Sequence, residues 1–364
     1  MADAQVECPT PDGAGRSVRI SSPDRVLWPD LGLTKLDLAH YVRDVGAELL
    51  SRIGARPVTL QRFPTGIDGE EFYSKNPPKG LPSHVRTVTM TYPSGRRHAQ
   101  LVVDEIATAV WAVQMNTITL HPWPVRVTDD PQCLDHPDEV RIDLDPQPGR
   151  GFADAVQAAY ALREVLADAG LTGFPKTSGN RGVHVYCPVR PDREFLDVRH
   201  GVIAIARELE RRMPSEVTTA WWKEQRGMRV FVDYNQACRD RTIASAYSPR
   251  PLPGAPVSMP VSWDDLGNVA PGDFTVMSVP GIVAAQTDPW ADYDAQVGDL
   301  GVAMQWWDRD LADGLGELAF PPDYPKMPGE PPRVQPSKKR YDDEDYVAGG
   351  EGYLREHPEL PPRG

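Results

Sequence analysis

The sequence predicts an α/β fold in which a mixed sheet is flanked by helices. Apolar residues follow the two-residue period of β-strands in 140–145 and 183–187, and a further apolar run predicts a strand at 229–236. Between these strands, 152–169 and 198–213 carry apolar residues at helical spacing. Strands and helices that alternate in this way indicate helices packed on the faces of a sheet.

The composition limits the possible classes of protein. A chain of 364 residues with 40% apolar residues is long enough for one large domain or two modest ones. The 38 prolines and 30 glycines predict long irregular connections. The net charge of −13 argues against a non-specific polycation, although a local basic groove is sufficient to bind phosphates.

Cysteine usage and hydropathy point to a reducing compartment. Cys8, Cys133, Cys187 and Cys238 are widely spaced, so neither a disulfide framework nor a four-ligand zinc site is indicated. Cys133 and His136 have ligand-like spacing, but there is no second pair to complete a site. No signal segment or membrane-spanning run is present, so a cytoplasmic protein without membrane contact is expected.

A pair of cations lies near the start of the first predicted helix, which runs to about residue 53. Thr34 fits the N-cap, and Asp37 follows three residues later as in a capping box. Lys35 in the first turn is unfavourable for the helix dipole unless an anion also binds there. Together with Arg25 it indicates a phosphate site, and two solvated surface charges are the alternative.

Two adjacent aromatic residues follow a glycine-rich turn. In a strand Phe72 and Tyr73 point to opposite faces, so that one is a stacking platform for a base or both are core. His121 lies in a strand-like run at 118–123, where a satisfied core histidine is the alternative to a ligand. The other elements expected in this half are a strand at 57–63, a hairpin at 85–103 and a helix at 104–116.

The central strand ends in two carboxylates. Asp143 and Asp145 point to the same face, because residues i and i+2 of a strand do so, and Pro146 ends the strand. Two such carboxylates repel each other unless a cation lies between them, and a divalent metal is the usual one. A solvated strand end is the alternative.

Two downstream motifs favour metal chemistry. Asp233 follows an apolar strand, and three carboxylates hold two divalent ions about 4 Å apart in phosphoryl transfer. The polar loop 178–182 offers backbone N–H groups and a hydroxyl to a triphosphate, although no P-loop motif occurs. The donors that could neutralise a triphosphate are Arg181, His184, His121, Arg226 and Arg250.

These segments resemble a known family. Closely similar to its three motifs are Val-Arg-Ile-Asp-Leu-Asp-Pro at 140–146, Thr-Ser-Gly-Asn-Arg-Gly-Val-His-Val-Tyr at 177–186 and Val-Phe-Val-Asp-Tyr-Asn-Gln at 230–236. The family is that of archaeo-eukaryotic-type primase-polymerases, and the resemblance is closest to the polymerase domain of bacterial ATP-dependent DNA ligase D. Further similar segments are 23–29, 32–35, 72–75 and 246–250. The resemblance covers roughly residues 18 to 325.

The resemblance implies an RRM-like palm, with a mixed sheet flanked by helices, and an N-terminal α/β subdomain that completes a cleft. We expect a disordered N-terminus at 1–17, a catalytic domain at 18–325 and a Pro-rich charged tail at 326–364. The catalytic domain divides into an N-terminal part at 18–135, a palm-like core at 136–300 and a C-terminal helix at 290–320.

The resemblance also implies roles for individual residues. The catalytic metal ligands would be Asp143, Asp145 and Asp233. The residues that would bind the nucleotide or lie beside its base, its sugar or the template are Ser178, Arg181, His184, His121, Arg250, Arg226, Phe72, Gln61, Arg62 and Gln236. A DNA 5′-phosphate would be bound by Arg25 and Lys35.

The implied activity is template-dependent nucleotidyl transfer to a primer 3′-OH. A DNA/RNA polymerase of this kind fills short gaps or extends broken ends in DNA repair by non-homologous end joining, with two Mn²⁺ or Mg²⁺ ions and ribonucleotides as the expected preference. Its partners would be gapped or end DNA with a 5′-phosphate, NTP or dNTP, and a DNA ligase or Ku-type protein. A nucleoid-associated monomer is expected. The alternatives are a de novo primase, a non-catalytic DNA-end-binding module and a phosphoesterase.

Three positions differ from some relatives. Gln61, Arg25 and Arg181 stand where lysine is expected. Arginine keeps the charge at two of these positions with a different geometry, and Gln61 loses it. The sequence has no K-x-D-G ligase motif and no fused nuclease, so a free-standing relative of the actinobacterial type, which need not serve end joining, is expected.

Overall fold

The computed structural model describes residues 3–10, 12–78 and 80–332. The strands of this part are β1 (Ala4–Cys8), β2 (Arg16–Ile20), β3 (Val26–Trp28), β4 (Leu33–Thr34), β5 (Arg56–Arg62), β6 (Phe72–Ser74), β7 (Arg86–Thr91), β8 (Arg97–Val103), β9 (Thr117–Pro122), β10 (Glu139–Pro146), β11 (Phe174–Thr177), β12 (Val183–Pro188), β13 (Val217–Thr218), β14 (Val230–Asp233), β15 (Ser248–Pro249) and β16 (Val257–Ser258). The α-helices are α1 (Lys35–Asp44), α2 (Gly46–Ile53), α3 (Ile106–Gln114), α4 (Phe152–Asp168), α5 (Phe195–Arg212), α6 (Lys223–Arg226), α7 (Val279–Ala285) and α8 (Gly301–Ala312).

One five-stranded sheet, which we call the palm sheet, has the strand order β11-β12-β10-β14-β13. Its strands pair antiparallel except for β13 and β14, which are parallel. Along the chain the order is β10-α4-β11-β12-α5-β14, which is the split βαβ arrangement of RRM-like domains. The expected palm is therefore confirmed.

Alternation along β10 gives the palm sheet two different faces. Val140, Ile142 and Leu144 are fully buried in the core that also contains the apolar residues of α4 and α5. Asp143 and Asp145 lie between them in sequence and therefore point to the opposite face. Helices cover one side of the sheet, and the acidic side chains are left on the other.

A second sheet forms the N-terminal part, and β5 is its centre. This strand pairs antiparallel with β6, β8 and β9, and β7 extends the sheet beyond β8. Arg56 at the start of β5 is fully buried and pairs with Asp138 at 2.6 Å and Glu139 at 2.8 Å. Because Glu139 begins β10, this buried ion pair joins the N-terminal sheet to the palm sheet.

The N-terminus differs from the expectation of disorder at 1–17. Residues 4–8 form β1, which pairs antiparallel with β2. Val6 and Cys8 are buried in the main core together with Val18 and Ile20 of β2. The expectation was wrong because the apolar alternation in this polar segment is too short to predict a strand by itself. Val6 and Cys8 become buried because β2 pairs with β1.

Two of the expected helices are interrupted or shorter. The helix from Lys35 to residue 53 is divided at Val45, and a Cβ added at Gly46 would lie 2.6 Å from the side chain of Ile106. The C-terminal helix expected at 290–320 is limited to α8, because Trp290 is instead a buried anchor whose Nε1–H donates to Pro175 O.

The expected tail at 326–364 lies for the most part outside the described residues, from 333 onward. Among the residues that are described, no helix is long and apolar enough to span a membrane.

Candidate active site

A row of four side chains crosses the open face of the palm sheet. Asp143 is opposite His184 of β12 on one side and opposite Asp233 of β14 on the other. Lys176 of β11 is in turn opposite His184. Side chains of directly paired residues point to the same face, so these four form one line, which we call the site row. Asp145 lies on the same face, two residues further along β10.

The carboxylates of this site lie in an environment that disfavours negative charge. Burial raises the pKa of Asp143 well above its usual range, and the charges of Asp145 and Asp233 raise it further. Burial also raises the pKa of Asp145 and that of Asp233. Three carboxylates that each resist ionisation are stabilised by a bound cation, and their oxygen atoms are the donors that hard divalent ions take.

In the described residues, the acidic and histidine side chains of this site do not form a compact metal-binding cluster. Within 3–10, 12–78 and 80–332 no group of three or more His, Cys, Asp or Glu side chains is arranged to hold a metal ion. Instead, Asp233 accepts hydrogen bonds from Gln236 Nε2 at 2.9 Å and from the backbone N–H of Asn235 at 3.0 Å. Gln236 therefore contacts a carboxylate of the site row.

His184 lies between a cation and an anion. Its Nδ1 is 2.8 Å from Lys176 Nζ, and its Nε2 is 3.5 Å from Asp143 Oδ1. Burial, together with the charges of Lys176 and Arg250, lowers the pKa of His184 well below its usual range, so the ring is neutral. Lys176 was missed by sequence reasoning, because its place in the row follows from strand register and no motif marks it.

The polar loop after β11 is shaped by its serine and glycines. Ser178 Oγ accepts the backbone N–H groups of Asn180 at 3.2 Å and Gly182 at 3.1 Å. Gly179 has a φ of +72°, and a Cβ there would lie 2.5 Å from Arg250 Cγ. The loop thus packs closely against Arg250 and leaves Arg181 exposed.

Two arginines place positive charge beside the acids. Arg250 Nε is buried and makes no hydrogen bond within the described chain. Burial lowers the pKa of Arg250, and the negative charge of Asp143 opposes that shift. The guanidinium of Arg226 stacks 3.5 Å from the ring centre of Phe231, and its charge opposes the rise that burial causes in the pKa of Asp145.

His121 lies in a hydrogen-bonded chain at the edge of the N-terminal sheet. Its Nε2 is 3.0 Å from Gln61 Oε1, and Gln61 Nε2 donates to Glu71 Oε1 at 2.8 Å. Burial and the charge of Arg250 lower the pKa of His121 to about 3. Tyr73 meets the His121 ring edge-on with centroids 5.4 Å apart and is 51% exposed.

A second group of cations lies on the other side of β5. Lys35 is buried, and its Nζ donates to Ser21 O at 3.1 Å. Burial, and then the charges of Arg25 and Arg62, lower the pKa of Lys35 to about 8. Arg62 also lies over the ring of Phe72, 4.8 Å from its centre. We call Arg25, Lys35 and Arg62 the cation cluster; the expected pair of cations is thus joined by Arg62, which had been expected beside the sugar or template.

Comparisons with known proteins agree with this architecture. A family model described as LigD, primase-polymerase domain, matches residues 34–290. The polymerase domain from Mycobacterium tuberculosis ligase D in complex with DNA superposes with a TM-score of 0.70 at 30% sequence identity, covering 77% of this chain and 99% of that one. The palm sheet and the carboxylates on its open face place the protein in the class of primase-polymerases.

Curated relatives narrow this class to one family. The multifunctional non-homologous end joining protein LigD of Pseudomonas aeruginosa is 32% identical over 302 residues, which cover 80% of this chain and 35% of that protein. The M. tuberculosis LigD is 31% identical over 290 residues, covering 78% of this chain and 38% of that protein. The chain belongs to the LigD primase-polymerase domain family, and it spans little more than a third of these two relatives.

Proposed function

We propose that the chain is a template-dependent polymerase that adds nucleotides to a primer 3′-OH at short gaps or broken DNA ends. The observation that carries the proposal is the arrangement of three carboxylates: strand register sets Asp143 beside Asp233, and alternation along β10 sets Asp145 on the same face. The matched domain of M. tuberculosis ligase D was solved with DNA, and the curated relatives are named end-joining proteins. Repair of broken ends is the role that these names support.

The two carboxylates of the site row and the neighbouring Asp145 fit divalent cations. Asp143, Asp145 and Asp233 would hold two Mn²⁺ or Mg²⁺ ions, and their mutual repulsion would be relieved by that charge. When bound, such ions lower the pKa of the attacking hydroxyl and stabilise the leaving pyrophosphate. On metal binding, the Asp233 carboxylate would exchange its hydrogen bonds with Gln236 and the N–H of Asn235, at least in part, for the cation.

The groups around the site row complement a nucleoside triphosphate. Arg181 and Arg250 would neutralise the phosphate oxygens, and the neutral ring of His184 would donate a hydrogen bond to them. Because the N–H groups of Asn180 and Gly182 are bound to Ser178 Oγ, the backbone donors that the loop 178–182 would offer are those of Gly179 and Arg181. Because Arg250 Nε is buried without a hydrogen-bond partner in the described chain, a phosphate oxygen would satisfy it. Arg226 supplies further positive charge beside Asp145.

Residues of the N-terminal sheet would select the sugar and the base of the nucleotide. Gln61, His121 and Glu71 form one hydrogen-bonded chain, and Tyr73 exposes its ring beside them. A polar wall of this kind can distinguish a ribose from a deoxyribose, and ribonucleotides are the preference that we propose. Phe72, stacked beneath Arg62, would support the base of the template.

The cation cluster is the reason to propose gaps and ends as the DNA substrate. Burial, and then the charges of Arg25 and Arg62, disfavour the proton on Lys35, and a bound terminal 5′-phosphate would offset both effects. We also propose that the chain is a monomer and that it acts together with a DNA ligase or a Ku-type protein. Its proposed location is the nucleoid in the cytoplasm.

Primer extension across a short 5′-phosphorylated gap tests the proposal. The assay uses Mn²⁺ or Mg²⁺ and one rNTP or dNTP at a time, so that template-matched addition and sugar preference are read together. Addition restricted to the template-matched nucleotide supports a gap-filling polymerase. Synthesis on an unprimed circle would indicate a primase, and 5′-phosphate-dependent binding without addition would indicate an end-binding module.

A further inference from the structure

Asp233 is the last residue of β14, so the palm sheet holds it from one side only. Its pairing with Asp143 is the final pair in the register of β10 on β14. On the other side of β14, the strand β13 pairs with Val230 and Phe231 and ends before it reaches Asp233. The chain then leaves the sheet in a 3-10 turn at Tyr234–Ala237. The position of the Asp233 carboxylate therefore depends on what holds this turn.

A segment far along the chain, residues 316–320, holds the turn, and we call it the strap. The carbonyl oxygen of Ala319 in the strap accepts hydrogen bonds from Asn235 Nδ2 at 3.0 Å and from Tyr234 OH at 3.3 Å. Tyr234 and Asn235 are buried, and they are the two residues that follow Asp233. One backbone carbonyl thus binds both residues that lead the chain out of β14.

Arg199 of α5 binds the strap and the turn together. Its side chain is completely buried, and its Nε–H donates to Asn235 Oδ1 at 3.1 Å. Its Nη2 donates to Leu318 O at 3.1 Å and to Ala319 O at 3.2 Å. Arg199 also forms an ion pair with Glu317 of the strap. The side-chain amide of Asn235 therefore has its oxygen on Arg199 and its nitrogen on the strap.

Closure of the hydrophobic core does not require this arrangement. Burial of a guanidinium group or an amide is destabilising unless its donors and acceptors find partners, whereas apolar side chains fill space without that requirement. A buried polar network whose members are satisfied instead favours one geometry. A fixed geometry is what a metal ligand at the end of a strand requires, because its supporting residues determine where the ligand lies.

We propose that Arg199 is a positioning residue for the divalent-cation site, which acts with the Ala319 carbonyl to hold the turn after Asp233 and thereby that carboxylate. The inference rests on the proposed polymerase function and extends it to a residue that is not itself a ligand. When a cation replaces the hydrogen bonds of the Asp233 carboxylate, the bonds from the Asn235 side chain to Arg199 and to the strap are kept. The backbone at the end of β14 therefore stays in place as the cation binds.

Binding of Mn²⁺ alone to the full-length protein, followed by the EPR signal of the free ion, tests the proposal without polymerase activity. Arg199→Met should weaken this binding about 10-fold or more, which is the usual effect of losing an outer partner of a metal ligand. Asn235→Ala should have a similar effect, because it removes the side chain through which Arg199 and Ala319 hold the turn. Asp233→Asn identifies the share of the binding that belongs to the site.

Arg207 of the same helix provides a matched control. It is also buried, and it donates to Gly316 O in the strap at 2.6 Å and pairs with Asp310 of α8 at 3.6 Å. Arg207→Met therefore removes a buried arginine from α5 and a contact with the strap, while the bonds of Asn235 remain. We expect Arg207→Met to lower the melting temperature, as Arg199→Met does, and to leave the Mn²⁺ affinity unchanged.

A double variant asks whether Arg199 acts through the turn. Because Arg199 and Asn235 share a hydrogen bond, Arg199→Met combined with Asn235→Ala should weaken Mn²⁺ binding no more than either change alone. In primer extension, each single variant should raise the Mn²⁺ concentration that gives half of the maximal rate. The KM for the nucleotide at saturating Mn²⁺ should stay at the wild-type value.

Wild-type Mn²⁺ affinity in both Arg199→Met and Asn235→Ala would overturn the proposal, and so would an equal loss of affinity in Arg207→Met. A wild type without Asp233-dependent Mn²⁺ binding would refute the metal site of the proposed function and this inference with it, whereas unchanged binding in the variants refutes this inference alone. If thermal melting shows that Arg199→Met does not fold, Asn235→Ala decides the question, because it leaves the ion pair of Arg199 and Glu317 in place.

Discussion

Replacing Lys35 by methionine should make the protein more stable and less able to recognise a DNA 5′-phosphate. The pKa of Lys35 falls from its ordinary value of 10.5 to about 8, first through burial and then through the charges of Arg25 and Arg62. A difference of this size corresponds to about 3 kcal/mol, because each pKa unit is worth about 1.4 kcal/mol. The side chain is only 2% exposed, so solvent does little to screen this effect.

The variant also loses a favourable contact. The hydrogen bond from Lys35 Nζ to Ser21 O contributes about 1 kcal/mol, so the net gain in free energy of unfolding near pH 7 is about 2 kcal/mol. The gain depends on pH with a defined sign. Between pH 8 and 10.5 the unfolded chain binds more protons at Lys35 than the folded protein does, so wild-type stability rises with pH and the advantage of Lys35→Met disappears.

The assay combines urea unfolding at pH 7 and near pH 10 with binding of gapped DNA that has either a 5′-phosphate or a 5′-hydroxyl. Loss of one phosphate contact should lower the salt dependence of binding by about one unit in the log–log slope. The exposed Lys326 provides a control, because Lys326→Met should change neither quantity. A Lys35→Met protein that is less stable at pH 7, or that still prefers the 5′-phosphate as the wild type does, would refute the reasoning.

Three further substitutions test other parts of the structure. Asp143→Ala should abolish primer extension and leave DNA binding largely intact, as read by gel shift on the same gapped substrate; retained extension would contradict its role as a metal ligand. Arg56→Met should lower the free energy of unfolding by about 3–5 kcal/mol in urea melts, because Glu139 would lose a partner in a buried ion pair; a change below about 1 kcal/mol would contradict this and would mean that Arg141 alone satisfies Glu139. Gly179→Ala should raise KM for the nucleotide by about tenfold or more in steady-state kinetics, because its φ of +72° and its contact with Arg250 both exclude a Cβ; an unchanged KM would mean that the loop does not bind the triphosphate.

The palm could be predicted from the sequence because each of its strands and helices has its own apolar periodicity, which can be recognised without knowing the rest of the fold. Alternation along 140–146 assigns Asp143 and Asp145 to one face without reference to any other strand, and the capping box of Thr34 and Asp37 is present in the structure as expected. The βαββαβ order follows from the succession of periodic segments, since each period reports its own element.

The features that could not be predicted depend on contacts between distant segments. Lys176 joins the site row only through the register of β11 on β12. The charge of Arg62 acts on Lys35, and its Nε–H donates to Met115 O, 53 residues away along the chain. The helix is divided at Val45, the side chain of Ile106 leaves no room for a Cβ on the next residue, Gly46, and β1 forms because β2 lies beside it. None of these relations leaves a periodic or motif signal in the chain.

Single-turnover incorporation of one template-matched nucleotide, measured with Mn²⁺ on a 5′-phosphorylated gap, tests the central claim most directly. The comparison is between the wild type, Asp233→Asn in the site row and Asp264→Asn at an exposed position in a distant turn. The account predicts that the wild type and Asp264→Asn incorporate equally and that Asp233→Asn incorporates nothing above background while still binding the DNA. Incorporation by Asp233→Asn at the wild-type rate would contradict the claim that strand register assembles the catalytic carboxylates.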